Sequence, residues 1–497
     1  MPHIMRLPIV FLVLTVAAAS CGGESTDEDA DSVRITNGQG EIAGEVTEDS
    51  VILQSRLTTT GGFVNGDLPG VAGVGRFEVS TDSEFVEPML TDWLEAVAPT
   101  DFIVKVLVDG LTPDTEYFYR LVYGLTQEMT DTGPTRSFRT LAGAGIAREA
   151  SFVAVTGMNY HRFYGDPDRQ YTGPDRDLGY PALEVMLALR PDLFVATGDN
   201  VYYDIPYEGR AETAPTMRQK WHEQLAQPRF IDLFAVVPTY WEKDDHDYRY
   251  NDTDNTTDAP PLPGLGRQIF LEQVPVVDPF DLDPVTYRTH RVSRDLQIWL
   301  TEGRDYRSSN MMDPGPDKTL WGERQRTWLQ RTLLESDATF KILISPTPLI
   351  GPDDADQAGR PAENHDPVKR DNHSNQQGFR AERDEFFAWL LENDFLDKNF
   401  YIVCGDRHWQ YHSRHPNGLE EFSTGAIIDA NSRVGRPPGD PNSNDPDALI
   451  EQLYTYDEPT GGFLHVAVSH RDPVTAAFSF LDENGTLLYE VLKTASE

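Results

Sequence analysis

The sequence predicts an N-terminal β-sandwich followed by a larger, layered α/β domain. Between residues 35 and 142, β-rich runs recur with turn residues between them. From about residue 150 onward, short apolar strands alternate with helical segments, a pattern typical of α/β folds. The 497 residues include 24 Phe, 20 Tyr and 8 Trp, which provide enough aromatic surface to fill the cores of more than one domain.

The first 34 residues predict export. Arg6 provides a positive start, and residues 7–19 form an apolar run that is too short to span a bilayer. Residues 18–21 end in Cys21 and resemble a bacterial lipobox, so residues 1–21 are predicted to be a lipoprotein-type signal peptide. An ordinary signal peptide that is cleaved nearby is the alternative. Residues 22–34 are small and acidic, which predicts a tether.

This N-terminal segment sets the expected location. We expect an exported lipoprotein of the cell envelope, on the periplasmic or extracellular face, or otherwise a secreted protein. Contact with a membrane would be made only through the lipid on Cys21.

Residues 35–142 contain a motif that is typical of immunoglobulin-like sandwiches. In residues 110–120, Leu111 and Pro113 lead into a strand whose tyrosine can turn its hydroxyl back onto the preceding loop. The segment resembles part of a fibronectin type III module, and residues 137–140 are expected to form its last strand. Such modules serve as spacers or lids, so we expect no chemistry here.

The α/β domain is predicted to cover residues 150–497. Its strands are predicted at 151–156, 192–197, 340–344 and 399–404, and its helices at 181–189, 323–334 and 382–391. The runs at 462–468 and 475–481 alternate as β-strands without helices. Two Pro/Asp-rich stretches, 251–285 and 346–375, are predicted to be long loops, and such loops inside a compact domain are usually functional.

The charge of the chain excludes several classes of partner. The sequence carries 81 acidic and 42 basic residues, a formal net charge of −39. Such a surface repels nucleic acids and anionic lipid head groups, which bind basic surfaces. An anionic substrate would require a local positive site, built against the field of the whole molecule.

Three predicted strand ends finish in acidic or histidine-containing motifs. They are Gly198-Asp199-Asn200-Val201-Tyr202-Tyr203, Asp244-Asp245-His246-Asp247 and Gly405-Asp406-Arg407-His408. The carboxyl ends of strands meet at one edge of an α/β sheet, so these side chains can converge. Carboxylate, phenolate and imidazole groups bind cations, and a carboxylate shared by two cations gives a two-metal hydrolytic centre. Each motif alone is common in loops, but the three together predict a metal site.

The order of the three motifs resembles that of the calcineurin-like metallophosphoesterases, and is most similar to that of the PhoD-type alkaline phosphatases. That family has a fibronectin-like N-terminal module and GDxxY, DDHE or DDHD, and GDxH segments. Asp305-Tyr306-Arg307 and the segments 322–329 and 378–383 are similar to further family segments. The resemblance implies a four-layer metallophosphoesterase-like domain, in which β-sheets pack face to face with helices outside.

The resemblance also implies hydrolysis of phosphate mono- or diesters by metal-activated hydroxide. His246 would protonate the leaving alkoxide or orient the phosphate, and Arg307, together with Arg304, would clamp the phosphate oxygens. Asp199 would bridge two metals, and Tyr202 would place a phenolate on a ferric ion. The implied metal ligands are Asp199, Tyr202, Asp245, Asp406, His408 and Asn159.

Two positions depart from the family pattern. Met158 stands where the family has an iron-binding cysteine, and a thioether is a poor ligand for a hard ferric ion. The family implies two or more metals, iron plus calcium, but this position weakens the iron site unless Asn159 or His161 substitutes. The family's Asp-x-Trp segment corresponds to residues 371–373. Asp371 and His373 are therefore expected to contact substrate. For His373, the alternatives are an extra metal ligand or a solvated loop histidine.

Two other functions stay open at this point. The chain could be a catalytically weakened binding lipoprotein, for which Met158 is the best support. It could also be a related metal-dependent hydrolase of sulfate or phosphonate esters, because long loops and His373 could reshape the pocket. The function that we expect is a monomeric phosphoesterase for small phosphate esters, used in phosphate acquisition.

Overall fold

The computed structural model describes residues 35–355 and 368–496. The predicted signal peptide and tether, which comprise residues 1–34, lie outside the described part of the chain. Within the described ranges, no helix combines the length and the apolar character that are needed to cross a membrane.

The strands follow one another along the chain with short helices between them. The strands are β1 (Ile35–Thr36), β2 (Glu41–Gly44), β3 (Val51–Arg56), β4 (Thr58–Thr59), β5 (Gly73–Ser80), β6 (Met89–Leu90), β7 (Leu94–Ala96), β8 (Ile103–Val108), β9 (Glu116–Thr126), β10 (Met129–Thr132), β11 (Arg136–Arg139), β12 (Ala150–Val155), β13 (Leu193–Thr197), β14 (Thr239–Glu242), β15 (Arg288–Arg291), β16 (Leu296–Leu300), β17 (Phe340–Ser345), β18 (Phe400–Cys404), β19 (Gln410–Arg414), β20 (Glu420–Thr424), β21 (Glu451–Thr455), β22 (Gly462–Ser469), β23 (Thr475–Asp482) and β24 (Leu487–Thr494). The α-helices are α1 (Tyr160–Tyr164), α2 (Pro181–Leu189), α3 (Ala214–Leu225), α4 (Pro228–Phe234), α5 (Asp245–Tyr248), α6 (Pro263–Gln273), α7 (Gly322–Glu335) and α8 (Arg380–Glu392).

Two large sheets form the centre of the fold. One has the strand order β24-β23-β22-β12-β13-β14-β2-β3-β8, and the other has the order β15-β16-β17-β18-β20-β19-β21. Strands β12, β13 and β14 are parallel neighbours in the first sheet. Strands β16, β17, β18 and β20 are parallel neighbours in the second. The parallel strands of each sheet thus end at one edge of that sheet.

Alternating side chains of these strands fill separate cores. Phe152 and Ala154 of β12 pack into a core that includes Ile342 of the other sheet, while Val153 and Val155 pack into the core that contains the buried residues of α2 to α4. A third core joins β16, β17 and β18 to helices α7 and α8. The order is helices, sheet, sheet, helices, so the predicted four-layer architecture is confirmed.

The β-rich N-terminal region extends one of these sheets. Strands β2, β3 and β8 lie in the nine-stranded sheet, where Gly44 of β2 pairs in parallel with Thr239 of β14. The other N-terminal strands form a sheet with the order β10-β9-β5-β6, with β11 and β7 paired alongside, and a two-stranded β1-β4 pair. A sandwich is therefore present, but one of its sheets is continuous with the α/β domain.

The tyrosine in the predicted corner is Tyr117. Its hydroxyl oxygen accepts a hydrogen bond of 2.9 Å from the backbone N–H of Thr112, five residues upstream. Its ring stacks on that of Phe138 in β11. The predicted return of a strand tyrosine to the preceding loop is therefore confirmed.

The stretch 251–285, predicted as a long loop, contains an eleven-residue helix. Helix α6 begins with Pro263 in its first turn, a position that proline tolerates because the N–H there needs no helical partner. Within 346–375, residues 346–355 and 368–375 contain no helix or strand; only isolated bridges occur there. The prediction of an uninterrupted loop at 251–285 was wrong because its Pro and Gly residues mark the helix start.

Candidate metal centre

The three motifs meet because two glycines allow the strand ends to approach. Gly198 has a φ of +87°, and a Cβ there would lie 2.4 Å from the Cβ of Asp244. A Cβ on Gly405 would lie 2.4 Å from the hydroxyl oxygen of Thr197, at the end of β13. Any side chain at either position would push the strand ends apart. Gly198 therefore lets the ends of β13 and β14 approach within one sheet, and Gly405 lets the end of β18 in the other sheet approach β13.

Asp199, Asp245 and His246 form the compact centre of the site. One potential ligand atom from each lies within 4.8 Å of the others, and all three residues are buried. Oδ1 of Asp199 is buried without a hydrogen-bond partner among the described residues. Burial and the nearby carboxylates of Asp245, Asp247 and Asp406 raise the pKa of Asp199 well above its usual value. A cation bound here would satisfy the orphaned oxygen and offset the repulsion, so the carboxylates of Asp199 and Asp245 fit a metal.

The other oxygen of Asp199 lies beside Tyr202 and His408. The Tyr202 hydroxyl donates to Oδ2 at 2.9 Å and accepts from the Asn431 amide at 2.9 Å. Nε2 of His408 lies 3.1 Å from Oδ2 and 3.1 Å from the Tyr202 oxygen. Burial, followed by the positive charge of Arg433, lowers the pKa of His408 well below its usual value. A neutral imidazole is the form that binds metals, so this group suits the ligand role.

The His246 ring is oriented by a carboxylate that the sequence analysis did not single out. Nδ1 of His246 lies 2.6 Å from Oδ1 of Asp204, whose other oxygen accepts from the backbone N–H of Asn251 at 3.0 Å. Burial opposes protonation of His246, but Asp204, Asp245 and Asp199 outweigh it and raise its pKa well above its usual value. Asp204 follows Asp199 by five residues, so its place at the end of the first motif was an available signal.

Asp247 links the first two motifs. Its carboxylate accepts from the backbone N–H groups of Asp244 at 2.7 Å, and of Asp199 and Asn200 at 3.3 Å. The last aspartate of Asp-Asp-His-Asp thus fixes the turn that carries Asp199. It is a positioning residue.

Asp406 lines the same cavity at the end of β18. It has a φ of +60°, a conformation that aspartate tolerates better than most residues, and its carboxylate pairs with Arg407. Arg407 also pairs with the buried Asp353. The third motif therefore contributes Asp406 and His408, as predicted for its position.

Asn159 has a structural role in the loop after β12. Its side-chain oxygen accepts from the backbone N–H of Arg162 at 3.0 Å and caps helix α1. Its Nδ2 is buried without a described partner. Metal ligation by Asn159 stays a prediction. Met158 is fully buried in an apolar core.

The predicted phosphate clamp is corrected by the structure. The side chains of Arg304 and Arg307 are fully buried and share Asp371, with N–O distances of 2.8 and 2.6 Å. Arg304 also pairs with Asp244. Neither arginine is among the described residues that line the cavity. Asp371 lies close to Asp245 and Asp252. Both arginines are paired with buried carboxylates. The cluster therefore stabilises the acidic site from the protein interior.

The prediction that His373 contacts substrate is also corrected, as is its alternative of a solvated histidine. His373 is fully buried, its Nε2 lies 2.9 Å from Glu382 of α8, and its ring packs against Trp321. The carboxylate of Asp371 is paired with Arg304 and Arg307. Residues 371–373 thus stabilise the fold behind the site.

An open cavity of about 690 Å³ leads to the centre. Among the described residues that line it are six basic ones, Arg162, Arg169, Lys369, Arg407, Arg433 and Arg436. None of these residues was predicted from the sequence to contact substrate. They lie in helix α1, in the segment after it, in the loop after β18 and around residues 369 and 433–436, and no common motif marks them.

Two family models match this chain, one over its N-terminal region and one over most of its α/β domain. The family model described as PhoD-like phosphatase matches residues 152–452, and the model of the PhoD-like phosphatase N-terminal domain matches residues 23–141. Alkaline phosphatase D of Bacillus subtilis (strain 168) is 22% identical over 330 residues, which cover 61% of this chain and 54% of that protein. The chain thus matches about half the length of this curated relative.

Solved structures share the fold. A structure of PhoD aligns with a TM-score of 0.69 and 19% identity, over 92% of this chain and 88% of that one. The purple acid phosphatase PPD1 from yellow lupin seeds (Lupinus luteus) aligns with a TM-score of 0.55 and 12% identity, over 92% and 75%. The first family model alone covers more than half of the sequence. The chain therefore belongs to the PhoD-like phosphatase family.

Proposed function

We propose that this protein is a metal-dependent phosphoesterase that hydrolyses phosphate mono- or diesters. The observation that carries the proposal is the buried group of Asp199, Asp245 and His246, in which Oδ1 of Asp199 has no described partner. The basic residues of the cavity supply the local positive site that an anionic substrate needs on a chain of charge −39. Membership of the PhoD-like phosphatase family supports the same reaction class.

Asp199, Tyr202, Asp245, Asp406 and His408 would hold the metal ions. When bound, such ions would supply Lewis-acid polarisation of the ester and a nucleophile at neutral pH. The chain's own contribution is a buried acidic pocket with two imidazoles beside it. His246, held by Asp204 at 2.6 Å, would carry the proton that the leaving oxygen needs. The family resemblance supports iron plus calcium, and Met158 offers only a thioether in place of a thiolate.

We further propose that the chain is exported as a lipid-anchored or secreted monomer that acts on small esters. Support for export comes from residues 1–21 of the sequence. A cavity of about 690 Å³ is large enough for a small organic phosphate ester.

The test combines metal analysis with hydrolysis. Purified protein should contain metal and should hydrolyse 4-nitrophenyl phosphate or bis(4-nitrophenyl) phosphate, but not 4-nitrophenyl sulfate. Asp199→Asn should lower the metal content of the purified protein. It should also lower kcat/KM by at least about a hundredfold. Asp131→Asn, on the exposed strand β10, serves as the control. Hydrolysis of the sulfate in preference to both phosphates would contradict the proposal, and so would a metal-free protein whose Asp199→Asn variant behaves like the parent.

A further inference from the structure

The lining of the cavity is enriched in basic residues compared with the rest of the chain. Six basic and six acidic side chains are found among the described residues that line it, whereas the whole sequence has 42 basic and 81 acidic residues. Several of these acidic residues belong to the candidate metal centre. The basic character of the cavity lining is therefore a local feature and does not reflect the average charge of the chain.

Arg433 is one of these basic residues, and several contacts hold its segment in place. Its backbone N–H donates to the carbonyl oxygen of His408 at 2.9 Å, and its guanidinium lies 4.4 Å from the centroid of the Trp409 ring. The Tyr456 hydroxyl lies 3.1 Å from the carbonyl oxygens of both His408 and Arg433. These contacts tie Arg433 directly to the segment that carries a candidate metal ligand. The position of its charge relative to the metal centre is thus set by the fold.

The guanidinium of Arg433 keeps hydrogen-bonding capacity. Its described polar side-chain contact is a single one, from Nη1 to Oδ2 of Asp354 at 2.7 Å. Asp354 also accepts from Nε of Arg436 at 2.9 Å, so one carboxylate serves two guanidinium groups. Arg436 lies 3.7 Å from a further carboxylate, that of Asp440. An arginine fork has five N–H donors, and it binds carboxylate or phosphate with two parallel bonds.

Arg433 is more exposed than the reacting centre. Its side chain is 36% exposed, whereas the side chain of Asp199 is 2% exposed. A phosphate bound at the buried Asp199 would leave the rest of the ester to extend toward the more exposed part of the cavity lining. A group that extends there would come within reach of Arg433.

We propose that Arg433 binds a second anionic group of the substrate, a carboxylate or phosphate carried by the alcohol portion of the ester. The inference rests on the proposed phosphoesterase function and narrows its substrate class to esters that carry a further negative charge. Asp354 holds the Arg433 side chain at the cavity through their ion pair. Direct contact of Arg433 with the scissile phosphate is the competing interpretation, and the test separates the two.

The test uses pairs of aryl esters that differ only in charge. The 2-, 3- and 4-carboxyphenyl phosphates are compared with the corresponding carbamoylphenyl phosphates, both as monoesters and as methyl diesters. The wild-type protein should have a higher kcat/KM for at least one carboxyl ester than for its carbamoyl partner. This preference should shrink as NaCl is raised from 0.05 to 0.5 M, because salt screens exposed charges.

Arg433→Gln should reduce that preference by about tenfold or more. The ratio between variant and wild type cancels the different reactivity of the two leaving groups. Arg433→Lys keeps the charge but not the fork, so it should retain part of the preference. Arg414→Gln is the matched control, because Arg414 is 39% exposed on β19 and pairs with Glu451. It should leave the ratio unchanged.

Two results would overturn the inference while leaving the proposed function intact. One is equal hydrolysis of both members of every pair by the wild-type protein at low salt. The other is an equal loss on carboxyl and carbamoyl esters in Arg433→Gln, which would place Arg433 on the scissile phosphate. A wild-type protein that hydrolyses none of the esters would overturn the proposed function and this inference with it. If Arg433→Gln fails to fold, the salt dependence of the wild-type preference and Arg433→Lys decide the outcome.

Discussion

At the scale of single residues, Asp204 determines what His246 can do. The carboxylate lies 2.6 Å from Nδ1 and so fixes the ring and favours its protonated form. We expect Asp204→Asn to lower kcat about tenfold to a hundredfold for esters of alkyl alcohols, which leave poorly without a proton. The loss should be much smaller for 4-nitrophenyl esters, whose leaving group needs little protonation. A series of esters with graded leaving-group pKa measures this difference, and an equal loss across the series would contradict the role.

Glu483 makes stability depend on pH. It is buried, and its Oε2 accepts from the backbone N–H of Asp429 at 3.0 Å. Burial, reinforced by the charge of Asp429, raises its pKa to about 7. The folded state therefore holds this proton more tightly than the unfolded state does. As pH rises from about 4.5 to about 7, the group lowers the free energy of unfolding, by up to about 3 kcal/mol in total.

Glu483→Gln removes this titration but keeps an acceptor for the Asp429 N–H. The variant and the wild-type protein should have similar free energies of unfolding near pH 4.5. Near pH 8, the variant should be the more stable one. Urea unfolding at several pH values measures the difference, with Glu458→Gln in an exposed loop as the control. A difference that is constant with pH would show that Glu483 does not titrate in this range.

Local motifs made much of the candidate site predictable. Asp199, Tyr202, Asp245, His246, Asp406 and His408 meet as predicted, because each follows a buried strand. The strand ends come from two sheets, since β13 and β14 lie in one and β18 in the other. Arg304, Arg307 and His373 could not be placed by motif order, because their orientation depends on the buried carboxylates of Asp371 and Glu382. Arg433 reaches the mouth from a segment without regular structure.

At the scale of secondary structure elements, the C-terminal end of helix α6 is capped by a side chain from the N-terminal region. Nζ of Lys105, from β8, donates to the carbonyl oxygens of Leu271 and Val274 at 2.8 Å and of Glu272 at 2.9 Å. The last carbonyls of a helix have no partner within the helix. The ammonium group satisfies three of them and complements the negative end of the helix.

We expect Lys105→Met to destabilise the protein by about 2–4 kcal/mol, because it leaves carbonyl groups buried and unpaired. Hydrogen exchange should accelerate first in residues 263–274. Lys398→Met is the matched control, because Nζ of Lys398 contacts the carbonyl oxygen of Asn393 just after α8, but at an exposed position. A loss of stability that is equal in the two variants would contradict the capping role of Lys105.

Elements whose sequence has a strong local pattern were predicted with nearly the right bounds. Elements that depend on tertiary contacts were not predicted. Helix α2 has the predicted bounds, since Pro181 marks its start and its apolar spacing is regular. Helix α5 has four residues, and its carboxylate contacts with the turn at Asp199 are long-range. Helix α6 was not predicted, because its glycines weaken the helical pattern. Its end is also stabilised by Lys105, which is far away in sequence.

At the scale of the whole molecule, the N-terminal region and the α/β domain are joined into one structure. The described residues from Ile35 onward form a single compact unit, although the sequence predicted two separate domains, at 35–142 and 150–497. Besides the continuous sheet, buried ion pairs join the two parts. Arg288 and His290 of β15 contact Glu45 at 2.7 and 3.0 Å, and Nε2 of His222 in α3 lies 2.7 Å from Asp101. These contacts have partners far apart in sequence, so no local pattern predicts them.

The chain should therefore unfold in a single transition. Circular dichroism and tryptophan fluorescence should give the same midpoint in urea, although the eight tryptophans are unevenly spread along the chain. A fragment of residues 143–497 should not fold stably, because removal of β2, β3 and β8 would expose the edge of β14 and leave Arg288 buried without Glu45. Addition of a separately produced fragment of residues 35–142 should restore part of the native circular dichroism signal. Two separate transitions, or a fragment of 143–497 as stable as the full chain, would show that the junction between the sheets contributes little.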